Sequence, residues 1–171
     1  MNLLQTIRAI EGAAAAQPTV GTIVRNDVFR LNSCPAARYG VFAWLQGEHG
    51  TTLDGSLMQY RFTLFYVDRL TFGKRNEIEI QSVGIETLEN VLLALESIGV
   101  MADEHTFRTF NQRFADECAG VFCNVTLEVP KDILCEEAFD FLENIGDYNI
   151  DFNDDFNVWI WHTKEREIII V

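Results

Sequence analysis

At 171 residues with 48% apolar and 12% aromatic side chains, the chain is long enough for one domain with a real core and too apolar for a disordered protein. A formal net charge of -13 argues against gripping DNA, which needs a basic face to displace counterions from phosphates. No apolar run approaches the roughly 20 residues of a membrane span, and residues 1–16 lack the long apolar stretch of a secretory leader.

The first element predicted is a helix over residues 2–16, with Leu3, Leu4, Ile7, Ile10 and Ala14 on one stripe, Gln5, Arg8 and Glu11 off it, and Asn2 as its cap. Pro18 and Gly21 break it. Residues 22–31 are β-like but irregular, with a turn suggested at Asn26-Asp27. Cys34-Pro35 marks a loop, and residues 39–46 read as a mostly buried strand built on Val41, Phe42, Trp44 and Leu45.

Residues 47–57 hold three glycines and several polar side chains, among them Glu48, His49, Thr51 and Asp54; a flexible loop reaching outward for a partner is expected. Alternation is clear over 60–67, with Tyr60, Phe62, Leu64 and Tyr66 on one face and Arg61, Thr63, Phe65 and Val67 on the other. The second face turns apolar along its length, as in a central strand. Residues 68–76 form a turn with three bases, Arg69, Lys74 and Arg75. A helix over 85–98 follows, built on Ile85, Leu88, Val91, Leu92, Leu95 and Ile98, with Glu86 and Glu89 near its start and Gly99 ending it.

Residues 105–114 read as extended, presenting Phe107 and Phe110. A strand over 121–129 turns Val121, Cys123, Val125, Leu127 and Val129 inward and is stopped by Pro130. Beyond it the texture changes. Residues 133–144 predict a short helix capped by Asp132, 147–157 an acidic Asn/Asp segment, and 158–162 with 167–171 two further strands. Residues 131–171 thus read as an acidic extension packed on the same domain as a 1–130 core. The fold class expected is α+β: an antiparallel or mixed sheet with an N-terminal helix, one helix packed on the sheet, and a C-terminal helix and β-hairpin extension.

The charge is uneven. Residues 1–100 carry 8 Lys/Arg against 10 Asp/Glu, residues 101–171 carry 5 against 16, and 132–155 hold nine acids and no base. Asp147, Asp151, Asp154 and Asp155 belong to that run, which suits a solvated face, a patch docking on a basic partner, or a surface that repels DNA. Those aspartates do not make a calcium loop, because Phe152 and Val158 stand where its glycine and glutamate belong.

The four cysteines (Cys34, Cys118, Cys123, Cys135) form no C-x-x-C pair, and reduced, cytoplasmically made protein is expected. Cys118 is the best nucleophile candidate, yet neighbouring Asp116 and Glu117 oppose thiolate formation, so a structural cysteine is the reading. His49, His105 and His162 are too scattered for zinc. No catalytic residue, metal or cofactor is expected. Trp159 and Trp161 share one strand face and read as core or subunit interface. The apolar Ile168–Val171 run needs cover from its own sheet or a neighbour.

The stretches YGVFAWLQG, MQYRFTLFYVDRL, NEIEIQSVGIETLENVLLALE and FADECAGVFCNVTLEVP carry a resemblance over residues 1–130. In element order and texture the chain resembles the tail-terminator and tail-completion proteins of tailed bacteriophages, and neck and tail proteins of gut-bacterial phages, the crAss-like group included. The extension 131–171 is a departure from a minimal terminator. The resemblance implies a structural virion protein and no enzyme. It would be one subunit of a homo-oligomeric ring, hexameric or dodecameric, joining portal or connector to tail. Neighbouring neck, tail and portal proteins would be its partners, with DNA passing through unbound. It also implies contacts with the next ring at the 47–57 loop and the 68–76 turn. The alternative is a small acidic adaptor or inhibitor docking on a basic host partner.

Overall fold

Asn2 opens the first helix with a capping box: its Oδ1 accepts from the Gln5 N–H at 2.9 Å while Gln5 Oε1 accepts from the Asn2 N–H at 2.8 Å. In this computed structural model α1 spans Leu3–Ala15. The structure describes residues 1–27, 38–47, 50–53, 57–113, 117–130, 149–153, 158–162 and 167–170. Ile10, Ala13 and Ala14 of α1 are buried. Two expectations reverse here: Leu4 is exposed, and Glu11, placed off the apolar stripe, is buried.

Strand β1 (Thr22–Arg25) ends where Asn26 adopts φ 52°, at the turn expected inside the β-like stretch, whose residues 28–31 lie outside the described residues. Strand β2 (Val41–Gln46) begins two residues later than expected. Gly40 before it holds φ 78°, and a Cβ there would lie 2.1 Å from the Thr19 carbonyl oxygen. β2 runs antiparallel to the long β4 (Leu57–Arg69), from Val41 opposite Val67 to Gln46 opposite Phe62. The expected loop 47–57 is corrected. β3 (Thr51–Leu53) continues along the same edge of β4, Thr51 opposite Gln59, and the Gly47 N–H donates to Arg61 O at 2.8 Å.

The second helix, α2 (Glu77–Ser97), starts eight residues before the expected boundary. The expected helix begins at Ile85. Instead, Ile80, Gly84, Thr87, Leu88, Val91, Leu92 and Leu95 form one buried helical face. Gly84 is where the helix comes closest to the sheet: a Cβ would meet Tyr66 Cδ1 and Val121 Cγ2 at 3.0 Å each. The acids of the first turn are Glu77 and Glu79, so Glu86 and Glu89 stand mid-helix and not near the start. The C-terminus is as read: Gly99 at φ 80° donates to Glu96 O, and Val100 N–H to Leu95 O, a Schellman end.

Strands β5 (Met101–Ala102) and β6 (Phe107–Arg113) share one edge of β7 (Glu117–Pro130). β7 pairs antiparallel with β4 from Leu57 opposite Pro130 to Arg69 opposite Cys118. Its residues Val121, Cys123, Val125, Leu127 and Val129 are buried, as the alternation requires. β8 (Asn149–Asn153) forms inside the expected acidic segment, followed by β9 (Val158–His162) and β10 (Glu167–Ile170). β10 lies between β9 and β1, parallel to β1, so its backbone is paired on both edges. The expected helix over 133–144 lies outside the described residues.

The described strands form one mixed sheet in the order β5-β7-β4-β2-β1-β10-β9-β8, with β3 added to β4 and β6 to β7. The architecture is α+β. Ile10, Ala14, Leu88, Leu92 and Leu95 from the helices meet Phe42, Trp44, Phe62, Leu64 and Leu127 from the sheet in one cluster. Each such fully buried large apolar side chain contributes about 1.5–3 kcal/mol. A smaller cluster on the opposite face joins Val24, Val41, Ala43, Val67 and Cys118. No helix among the described residues is long and apolar enough to cross a membrane.

Candidate functional site

The turn between β4 and α2 is a knuckle closed by its own hydrogen bonds. Asn76 Oδ1 accepts from the Thr71 N–H at 2.8 Å and the Thr71 hydroxyl at 3.0 Å, while Asn76 Nδ2 donates to Arg69 O at 3.0 Å. Asn76 therefore makes no side-chain cap on α2. The Lys74 N–H donates to Thr71 O at 2.9 Å, closing a tight turn with Gly73 at φ 79°. This frame leaves Phe72 99% exposed, with Ile78 80% exposed on the first turn of α2. Lys74 and Arg75 are exposed beside them. Arg69, at the root of the knuckle, sets its guanidinium 5.9 Å from the Tyr39 ring centre.

β3 pairs with the other end of β4. β4 has 13 residues, and at about 3.4 Å per residue its two ends are roughly 40 Å apart. The two segments expected to make contacts thus sit at opposite poles of one strand. Of the residues expected in the 47–57 loop, Thr51 lies in β3 opposite Gln59; Glu48, His49 and Asp54 lie outside the described residues. Arg69, Lys74 and Arg75 come together on the knuckle. Trp159 and Trp161 fall in β9, opposite Ile170 and Ile168 of β10. Asp151 falls in β8 opposite Ile160; Asp147, Asp154 and Asp155 lie outside the described residues.

The sheet face away from the helices carries Phe65, Phe110 and Phe122, each half-buried. Phe65 stacks on Phe122 at 5.7 Å and meets Phe110 edge-on at 6.3 Å. Gly120 makes room for this cluster, since a Cβ there would stand 2.7 Å from Phe110 Cζ.

The buried polar groups serve the fold. Glu11 is 1% exposed. Its two oxygens each accept from Arg25 at 2.6 Å, and Oε1 also accepts from Trp44 Nε1 at 3.1 Å. This pins α1 to β1 and β2. Cys118 is buried in β7 with its thiol 3.8 Å from the Tyr39 hydroxyl. Burial pushes the Cys123 thiol up to about 12, partly offset by a hydrogen bond with the Leu64 backbone. Burial, with Asp68 adding its charge and a hydrogen bond, raises the Tyr66 hydroxyl above the usual phenol range. Neither cysteine is poised as a nucleophile. Among the described residues no group of three or more His, Cys, Asp and Glu is placed to hold a metal ion.

Phe72, Ile78 and the three-phenylalanine face were missed as surface features from the sequence alone. A phenylalanine inside the charged turn LTFGKRN was the available signal for the first. Comparison with protein-family models gives no match, and comparison with curated proteins gives none either.

Proposed function

We propose that this chain is a structural subunit of a homo-oligomeric ring in the neck or tail of a tailed phage. It is made in the host cytoplasm, joins portal or connector to tail, and lines the DNA conduit in a tail-terminator-like role. The observation that carries the reading is the placement of two segments at opposite ends of β4, the paired β3 and the exposed basic knuckle. A ring subunit needs separate surfaces for its neighbours within the ring and for the next ring, and two segments held apart at opposite ends of β4 suit that need. The order α1, β2, β4, α2, β7 with both helices on one sheet face accords with the resemblance. An acidic surface lets DNA slide without sticking.

Gold-labelled antibody raised against the purified protein tests this in the parent phage. Label at the head–tail junction or tail end supports the reading. Label found only in the soluble lysate, with none on virions, refutes it.

A further inference from the structure

The two most exposed large apolar side chains among the described residues are Phe72, on the hydrogen-bonded turn, and Ile78, on the first turn of α2 that follows it. Lys74 and Arg75 flank them, although the chain as a whole carries a net charge of -13. A fully exposed phenylalanine on a hydrogen-bonded frame is an anchor without a cavity of its own, and aromatic anchors of this kind dominate interface energetics. What fits it is an apolar spot rimmed by carboxylates.

Such a spot exists on the same chain. Helix α2 contains Glu77, Glu79, Glu86, Glu89 and Glu96 and no Lys or Arg. Leu93 on its outer side is 55% exposed. Glu89 lies one turn before it and Glu96 one turn after it, both exposed. From Ile78 to Leu93 is 15 residues, or about 22 Å along the helix, so the knuckle cannot fold back onto this spot within one subunit.

We infer that the knuckle of one copy docks on the outer face of α2 of the next copy. Phe72 packs against Leu93 while Lys74 and Arg75 face Glu89 and Glu96. Because the two surfaces differ, the contact is head-to-tail and repeats from copy to copy, as a ring requires. The inference rests on the ring reading above and names its subunit contact.

The test uses Phe72→Ser and Leu93→Asp in the full chain. Both positions are exposed, and circular dichroism checks that each variant is folded. By light scattering after size exclusion, wild type should form higher-order species. Each variant alone is expected to associate at least about tenfold more weakly. An equimolar mixture retains one intact knuckle and one intact α2 face, so it forms a 1:1 dimer and nothing larger. Lys74→Glu with Arg75→Glu should abolish assembly, and adding Glu89→Lys with Glu96→Lys should restore it. If wild type assembles and both variants assemble equally well, the docking contact is wrong while the ring reading stands. A wild-type chain that stays monomeric at its highest soluble concentration overturns both. Phe72-dependent flotation with acidic phospholipid vesicles overturns the docking contact in favour of a membrane surface.

Discussion

Replacing Glu11 with alanine removes the acceptor that ties α1 to the sheet. Arg25 loses two 2.6 Å hydrogen bonds and Trp44 Nε1 loses its 3.1 Å partner. Breaking a buried ion pair costs about 3–5 kcal/mol when the surviving charge stays buried. The Arg25 side chain here keeps 34% of its exposure and can turn to water, which lowers that share. The Trp44 N–H is left buried without a partner, at about 1–3 kcal/mol. The expected loss is about 2–4 kcal/mol, a large part of the 5–15 kcal/mol usual for a domain. At about 2–4 °C per kcal/mol for a chain of this size, the melting temperature falls by roughly 5–15 °C. Urea unfolding followed by tryptophan fluorescence measures it, since Trp44 touches the carboxylate. Glu11→Gln keeps one acceptor and should lose about half as much. A cycle with Arg25→Ala should give a coupling of at least about 1 kcal/mol. A Glu11→Ala chain within about 0.5 kcal/mol of wild type would refute the reasoning.

Gly120→Ala should destabilise by about 3 kcal/mol in the same assay, because its Cβ would lie 2.2 Å from the Tyr66 carbonyl oxygen, a backbone atom. Cys123 binds its proton more tightly folded than unfolded, so folding stability is intact below the ordinary thiol value of 9.0 and falls as pH rises toward about 12. Tyr66 adds to the same loss at high pH. Urea midpoints at pH 8 and pH 11 check this, and Cys123→Ser should shallow the decline. Four aspartates, Asp147, Asp151, Asp154 and Asp155, changed to lysine bring the net charge from -13 to -5. Assembly should persist while phage titre falls through impaired DNA passage; an unchanged titre removes the lumen role of that face.

Local signals in the sequence read well where they were also the deciding ones. The Asn2 cap, the Gly99 end of α2 and the five-residue alternation of β7 each depend on neighbours a few positions away. Tertiary contacts decided the rest. The N-terminal half of α2 is settled by Gly84 lying against Tyr66 and Val121, and Glu11 reads as off the apolar stripe until Arg25 and Trp44 meet it. β3 depends on chain direction held across Gly47, and the parallel seating of β10 on β1 joins residues nearly the whole chain apart. For the candidate site, the basic residues of the knuckle were legible from composition. The exposure of Phe72 was not, because it comes from Asn76 locking the turn.

Negative-stain electron microscopy of the purified wild-type protein tests the ring reading most directly. Closed rings of uniform subunit number, with a central channel wide enough for duplex DNA, are the result it requires. Single small particles at every concentration up to the solubility limit would contradict it.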